Sequence, residues 1–165
     1  MYNTTMKIIT LIVMLCLPVF SGCHTASQEM PYQTMDLAEP VRILKTVIGG
    51  HPALKGPSLK LITSQAQLDA LGTGDLIGRK VNFNNEQVVL ATLGEMPTDG
   101  YWIRITSIYQ EGDVLEVYGQ ANRPTPDTKA GQVLTYPYCA VVIPRTTATA
   151  VRDQIESVED QDPPM

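Results

Sequence analysis

The stretch VNFNNEQVVLATLGEMPTDGYWIRITSIY, residues 81–109, predicts two strands joined by a loop, and the other predicted elements are placed relative to it. Residues 86–93 form a nearly unbroken apolar run, which is typical of a central strand that is buried on both faces. Residues 94–100 cannot continue this strand, because they include a proline and an Asp-Gly turn dipeptide. Residues 101–107 alternate apolar and polar side chains and predict a half-exposed strand.

The sequence as a whole predicts an α+β domain that is mainly β, built as a small antiparallel sheet or sandwich. Further apolar or alternating runs predict strands at 41–48, 58–63, 114–121 and 138–144. The run at 138–144 is the most apolar of these, so we expect a second central strand there.

Two helices are predicted. In the first, which follows the early strands, Ser64 is the N-cap, Gln67 its capping-box partner and Gly72 the C-terminal stop. The second is a marginal C-terminal helix within 147–165, because Ala148, Val151, Ile155 and Val158 recur at helical spacing. Its acidic end opposes the helix dipole and predicts fraying into an acidic tail.

The composition favours one globular domain and argues against nucleic acid as a partner. The chain has 165 residues, of which 44% are hydrophobic, enough for a single core. Acidic residues exceed basic ones by 17 to 12, and the basic residues are not clustered. Nucleic-acid binding depends on concentrated Lys and Arg, so this class of function is disfavoured.

The N-terminus has the layout of a signal peptide. Residues 1–22 carry one charge, Lys7, followed by an apolar run at 8–20 that is shorter than the roughly 20 residues needed to span a bilayer. The segment LPVFSGC, ending at Cys23, resembles the lipobox of bacterial lipoproteins, which implies that Cys23 becomes the lipidated first residue after cleavage. Ordinary secretion with Cys23 unmodified is the alternative.

These features predict the organisation of the whole chain. Residues 1–22 are the lipoprotein signal peptide, 23–40 a flexible tether, 41–146 the β-rich domain and 147–165 the C-terminal helix and tail. The predicted location is the bacterial cell envelope, where the lipid anchors the protein to a membrane with its domain in the periplasm or at the surface.

The cysteine count agrees with an anchored protein. Cys16 leaves with the signal peptide, so a lipidated Cys23 leaves Cys139 without a partner, and Cys139 is predicted to be a buried thiol. A disulfide between Cys23 and Cys139 is the competing hypothesis. No C-x-x-C spacing occurs, so the sequence predicts neither a zinc site nor another metal site.

Loop positions suggest a binding surface. If consecutive strands are antiparallel, the loops at 94–100 and 122–131 share one end of the sheet and the turn at 111–113 lies at the other. The candidate partner surface on these loops consists of Met96, Pro97, Thr98, Arg123 and Pro124. Trp102 is either a further exposed contact or is covered by the C-terminal helix. An ordinary solvated rim is the alternative to a binding surface.

A second set of residues is expected to shape the loops rather than to bind. Its members are glycines with access to positive φ, aromatic residues at strand ends, and two residues that lead into the last strand. They are Gly94, Gly100, Tyr101, Thr135, Pro137 and Tyr138.

Three blocks of sequence resemble the PrcB C-terminal domain family. They are VNFNNEQVV at 81–89, GEMPTDGY at 94–101 and QVLTYPYCAVVIP at 132–144, and the resemblance covers about residues 59–145. The namesake of the family is a lipoprotein subunit associated with a surface subtilisin-like protease complex. The resemblance therefore implies a non-catalytic accessory domain at an envelope, with a protease as partner.

A weaker likeness concerns one loop. Residues 96–102, MPTDGYW, are similar to the N-P-T-T-G-Y loop of chagasin-type cysteine protease inhibitors, and Arg123-Pro124 is similar to their later R-P motif. Met96 replaces the Asn of that pattern, and the Trp that follows R-P is missing. Those inhibitors are immunoglobulin-like sandwiches that bind through loops at one end, so the likeness implies inhibition as an alternative function.

The inventory of side chains disfavours catalysis. The chain has two histidines, His24 beside the anchor and His51 between Gly50 and Pro52, and neither is well placed as a general base. The patterns G-x-S-x-G, H-E-x-x-H and the P-loop are absent from the sequence. We therefore expect a non-enzymatic, cofactor-free binding protein, with a structural envelope lipoprotein as a further alternative.

Overall fold

The computed structural model describes residues 38–159, which form eight strands and one short helix in two four-stranded sheets. The mainly β prediction is confirmed. The elements in chain order are β1 (Glu39–Pro40), β2 (Lys45–Gly50), β3 (Pro57–Ile62), α1 (Gln65–Asp69), β4 (Glu86–Leu93), β5 (Trp102–Glu111), β6 (Val114–Arg123), β7 (Pro137–Pro144) and β8 (Ala150–Glu159). One sheet has the order β1-β5-β6-β8 and the other has the order β2-β7-β4-β3.

The predicted central strands β4 and β7 are confirmed, because they are neighbours in the middle of their sheet and are buried on both faces. On one face, Leu90 packs in a cluster with Leu68 of α1 and Ile77 of the following loop. On the other face, Val89 packs in a second cluster with residues of the opposite sheet, including Leu115. A continuous apolar run fits a strand that lies between two cores.

The first helix is short and capped as predicted. The Ser64 hydroxyl accepts a hydrogen bond from the Gln67 amide at 3.3 Å, and Gly72 ends the segment with a φ of 65°. The Gln67 side chain reaches back to the amide of Thr63 at 2.7 Å, one residue before the N-cap. Leu68 is buried, so this helix covers the outer face of the β4–β7 sheet.

Strands β5 and β6 form an antiparallel hairpin, but β4 and β5 lie in different sheets. The loop between β4 and β5 therefore carries the chain from one sheet to the other. Trp102 pairs with Asn122 at the end of the hairpin opposite the 111–113 turn, so the loops at 94–100 and 122–131 share one end of the domain, as predicted.

The prediction of a C-terminal helix is wrong. Residues 150–159 form β8, which pairs in parallel with β6 along its whole length, with Leu115 opposite Val151 and Gly119 opposite Ile155. Pairing with a strand far away in the sequence outweighs the weak helical spacing of the apolar residues. The β-rich domain consequently extends through Glu159, beyond the predicted boundary at 146.

The predicted tether boundary is also corrected. Glu39 and Pro40, assigned to the tether at 23–40, form β1 and pair with Gln110 and Tyr109 of β5. The strand predicted at 41–48 divides between the two sheets. The Val41 amide donates to Ile108 of β5 at 2.8 Å, whereas the Leu44 amide donates to Val142 of β7 at 2.8 Å.

Cys139 is a fully buried free thiol on β7, which confirms the prediction for this residue. Its Sγ accepts a hydrogen bond from the Ile105 amide at 3.3 Å, and burial raises the pKa of the thiol. The predicted signal peptide at 1–22 and the predicted lipidation site Cys23 lie outside the described residues. From residue 38 to residue 159, no helix has the length and apolar character needed to cross a membrane.

Candidate functional site

Three loops meet at one end of the sandwich and form the candidate site, which we call the rim. They are residues 51–56 after β2, residues 94–101 after β4 and residues 124–136 after β6. The strand registers bring them together, because Gly50 pairs with Pro137 and Pro57 pairs with Leu93.

The second and third loops are joined by a short stretch of β-type pairing. The Met96 amide donates to the Thr135 carbonyl at 2.8 Å, and the Thr135 amide donates back to Met96 at 2.9 Å. The Thr135 hydroxyl adds a bond of 2.9 Å to the carbonyl of Thr98. Thr135 therefore fixes the backbone of the 94–101 loop at two points.

Asp99 forms a second link between the same loops. Its carboxylate accepts a hydrogen bond from the Gly131 amide, and its own amide donates to the Gly131 carbonyl at 3.1 Å. At the base of the loops, the Asn122 side-chain amide donates to the Gly100 carbonyl at 2.8 Å. Asn122 is buried whereas Gly100 is exposed, so this bond lies at the boundary between the core and the rim.

Gly94 allows the first loop to approach the second. Its φ is +80°, and a Cβ atom built on it would lie 2.8 Å from the Lys55 carbonyl oxygen, closer than real Cβ atoms come. This contact leaves room for the Glu95 amide to donate to the same carbonyl at 3.1 Å. A residue with a side chain at position 94 would push the two loops apart.

Tyr136 completes the connections around the rim. Its carbonyl accepts from the His51 amide at 3.1 Å, and its hydroxyl donates to the Glu95 carboxylate at 2.9 Å. The bond to Glu95 raises the pKa of Tyr136 above its ordinary value. All three loops are thus connected to one another by hydrogen bonds.

The rim exposes apolar side chains that the sequence analysis did not select. Val133 is 61% exposed and Leu134 is 59% exposed, although both precede the buried strand β7. The sequence could have indicated their exposure, because Val133 and Leu134 are separated from the apolar run of β7 and lie in a loop rich in Pro, Gly and Thr. Val133 and Leu134 therefore form an exposed apolar pair on the rim.

The residues predicted for the partner surface differ in their access to solvent. Pro97 and Arg123 are exposed, whereas Met96, Thr98 and Pro124 are half-buried. All five lie in the rim or next to it. Gly100 approaches Pro124, since a Cβ atom built on Gly100 would lie 3.5 Å from the Pro124 Cβ.

Trp102 requires a correction. Its side chain is only 7% exposed, so it does not belong to the contact surface. It is not covered by a helix either, because the C-terminal segment forms β8. Trp102 lies opposite Asn122, which is 4% exposed, and both are buried at the base of the rim.

The remaining loop-shaping residues lie at or just behind the rim. Tyr101 is half-buried, and Pro137 is buried as the first residue of β7. Tyr138 points away from the rim into the core beside α1, where its hydroxyl donates to the Leu76 carbonyl at 3.4 Å. Burial raises the pKa of Tyr138, consistent with a packing role for this ring.

Within residues 38–159, no group of His, Cys, Asp and Glu side chains is placed to hold a metal ion. The His51 Nδ1 accepts a bond from the Ala53 amide at 3.2 Å, which shapes its own loop. The rim thus combines a hydrogen-bonded backbone with the exposed aliphatic side chains of Val133 and Leu134.

Residues 87–144 match the family model described as PrcB C-terminal. The match confirms the resemblance noted in the sequence and runs from β4 to β7. Two of the three rim loops lie inside the matched segment, whereas the 51–56 loop and β8 lie outside it. Neither the search of curated proteins nor the search of solved structures found a match to this chain.

Proposed function

We propose that this protein is a lipid-anchored, non-catalytic component of a bacterial envelope, and that its rim binds another envelope protein as an accessory or stabilising subunit. The observation that carries the proposal is the exposure of Val133 and Leu134 on a loop held in place by hydrogen bonds. Burying such side chains against a partner is favourable by about 25 cal/mol per Å² of apolar surface.

The order of the rim strengthens this proposal. Binding by a mobile loop loses conformational entropy, by about 0.5–1.5 kcal/mol for each immobilised side chain. Here Thr135 and Asp99 hold the loops together before any partner arrives. More of the contact energy is then available for affinity.

The position of the chain entry also supports a partner-facing rim. The described chain begins beside β5, where Glu39 pairs with Gln110 next to the 111–113 turn, at the end opposite the rim. A tether from Cys23 would join the domain at that end, so its attachment point would leave the rim uncovered.

The family match suggests the kind of partner. The PrcB C-terminal family takes its name from a subunit of a protease complex, and the matched segment contains two of the rim loops. We therefore propose a surface or periplasmic protease as the partner.

Affinity purification of the full chain from detergent-solubilised membranes tests this function. We expect a protease to be retained by the wild-type protein and lost with Leu134→Asp, which places a charge in the apolar contact. Asp113→Ala at the opposite end serves as the matched control and should retain the partner. Recovery of the wild-type protein alone would favour a structural role in the envelope.

One observation favours a second candidate, a chagasin-like inhibitor. Gly100 and Pro124, from the two motifs that resemble those inhibitors, lie side by side at the rim. In this alternative the full chain would inhibit a papain-type protease, and Thr98→Arg would abolish inhibition. Absence of inhibition by the wild-type chain would remove this candidate.

A further inference from the structure

One side of the sandwich is open between the edge strands β3 and β8. In the part of the chain that the structure describes, β3 pairs only with β4, and β8 pairs only with β6. Two adjoining clefts of about 420 and 330 Å³ lie between these edges and share Leu59 in their lining. We call the two clefts together the side groove.

The side groove is lined mainly by half-buried aliphatic side chains at the margin of the core. They come from β3, from the end of the α1 segment and from β8, and they are Leu59, Leu61, Leu71, Val151 and Ile155. A long edge strand beside apolar side chains is where another chain can add by backbone hydrogen bonding.

Asp153 interrupts this apolar lining. It pairs in register with Val117, a fully buried core residue, so its carboxylate is on the inward face of β8 although the residue is exposed at the edge. An inward-pointing charge on an edge strand is a device that prevents indiscriminate strand pairing.

The carboxylate also occupies a backbone donor. Asp153 Oδ1 accepts a hydrogen bond of 2.8 Å from the Ile155 amide. A strand amide points either toward its paired neighbour or away from it, so this bond places the Ile155 amide on the outer edge of β8. Asp153 therefore occupies a backbone donor that an added strand would need for pairing.

We propose that the outer edge of β8 binds an extended segment of a partner protein that carries alternate apolar side chains and one Lys or Arg facing Asp153. The basic side chain pairs with the carboxylate and releases the Ile155 amide to the new strand. The apolar side chains cover the side groove. This site is separate from the rim, and the proposal for it does not depend on the proposed function.

The spacing of the strands specifies how the segment adds. Some Cα atoms of β3 and β8 lie within 8 Å of each other. Neighbouring hydrogen-bonded strands lie about 4.8 Å apart, so a strand inserted between β3 and β8 would require them to be roughly 9.5 Å apart. The segment therefore extends the β6–β8 sheet at its edge and reaches over the side groove with its side chains.

Two short fluorescent peptides test this proposal with the full chain in detergent. Both alternate threonine and valine, and the central valine is replaced by lysine in one and by glutamate in the other. Fluorescence anisotropy should give about tenfold tighter binding of the lysine peptide. Amide hydrogen exchange should slow at Val151 and Ile155 when that peptide binds.

Variants of the chain identify the residue responsible. Asp153→Lys should reverse the preference between the peptides, and Asp153→Asn should abolish it while keeping an acceptor for the Ile155 amide. Gln154→Lys raises the charge by one unit, as Asp153→Asn does, but on the opposite face of β8. It should leave the preference unchanged, which separates a local pair from a general charge effect.

Three results would overturn the proposal. They are equal affinity for the two peptides, no binding of either peptide, and a preference that Asp153→Lys does not alter. A doubled mass of the wild-type chain in solution, with slowed exchange along β8 in the absence of peptide, would assign this edge to a second copy of the chain instead.

Discussion

Asp99 and Gly131 join the two main loops of the rim through a pair of hydrogen bonds, one to the carboxylate and one between the backbones. Asp99→Ala should remove the first bond and loosen the rim. Because the pair is exposed, we expect a loss of only about 1 kcal/mol in the free energy of unfolding. Denaturant unfolding measures this loss, and amide exchange at Gly131 should accelerate.

Asp127→Ala is the matched control, since Asp127 lies exposed on the same loop. Asp127→Ala should leave the free energy of unfolding and the amide exchange rate at Gly131 unchanged within experimental error. An Asp99→Ala variant with unchanged exchange at Gly131 would show that the link does not order the loop.

Gly94→Ala should destabilise the domain more than a glycine-to-alanine change at an exposed turn, because Gly94 is buried. The added Cβ would be strained by the left-handed backbone and would also clash with the Lys55 carbonyl. We expect these two effects together to lower the free energy of unfolding by roughly 2–4 kcal/mol. Gly112→Ala has a similar positive φ but open space around its Cβ, and should cost about 1 kcal/mol. Equal losses in denaturant unfolding would contradict the close approach at Gly94.

The Cys139 thiol should be protected in the folded protein. In a Cys16→Ser, Cys23→Ser background, labelling of Cys139 by a thiol reagent should require unfolding, because the side chain is fully buried. Burial raises the pKa of the thiol, so its contribution to stability is present below the ordinary value of 9.0 and is lost as the pH rises beyond it. Rapid labelling under native conditions would contradict this placement.

Glu86 should contribute to stability in an acid-dependent manner. Its pKa is lowered by hydrogen bonds from Arg79 and from the Asn82 amide, so its contribution is present above the ordinary value of 4.5 and is lost as the pH falls through the lowered pKa. Glu86→Gln should flatten the pH dependence of unfolding in this range. Identical profiles for wild type and Glu86→Gln would contradict the assignment.

The sequence was sufficient to predict those strands and turns whose conformation depends mainly on their own residues. The apolar runs in β4 and β7 identified the central strands, because a strand covered on both faces has no polar side. Ser64 and Gln67 identified α1 through the capping chemistry of its first turn. The shared end of the two loops followed from the short turn between β5 and β6.

Non-local pairing explains the errors. In β8, Asp153 occupies an inward position, so the strand lacks the usual alternation and its remaining apolar residues imitate a helix. Residues 150–159 adopt the strand conformation because they pair with β6. Trp102 was ambiguous for a similar reason, because its burial depends on how the rim loops fold at the end of the hairpin. No local pattern indicates which sheet β5 joins.

Site-specific photo-crosslinking in living cells identifies which end of the domain contacts a partner. A photoreactive amino acid at position 134, on the exposed part of the rim, should crosslink the full chain to one dominant envelope protein. The same amino acid at position 113, in the turn at the opposite end, should not capture that protein. Capture of the same protein from position 113 but not from position 134 would contradict a partner-binding rim.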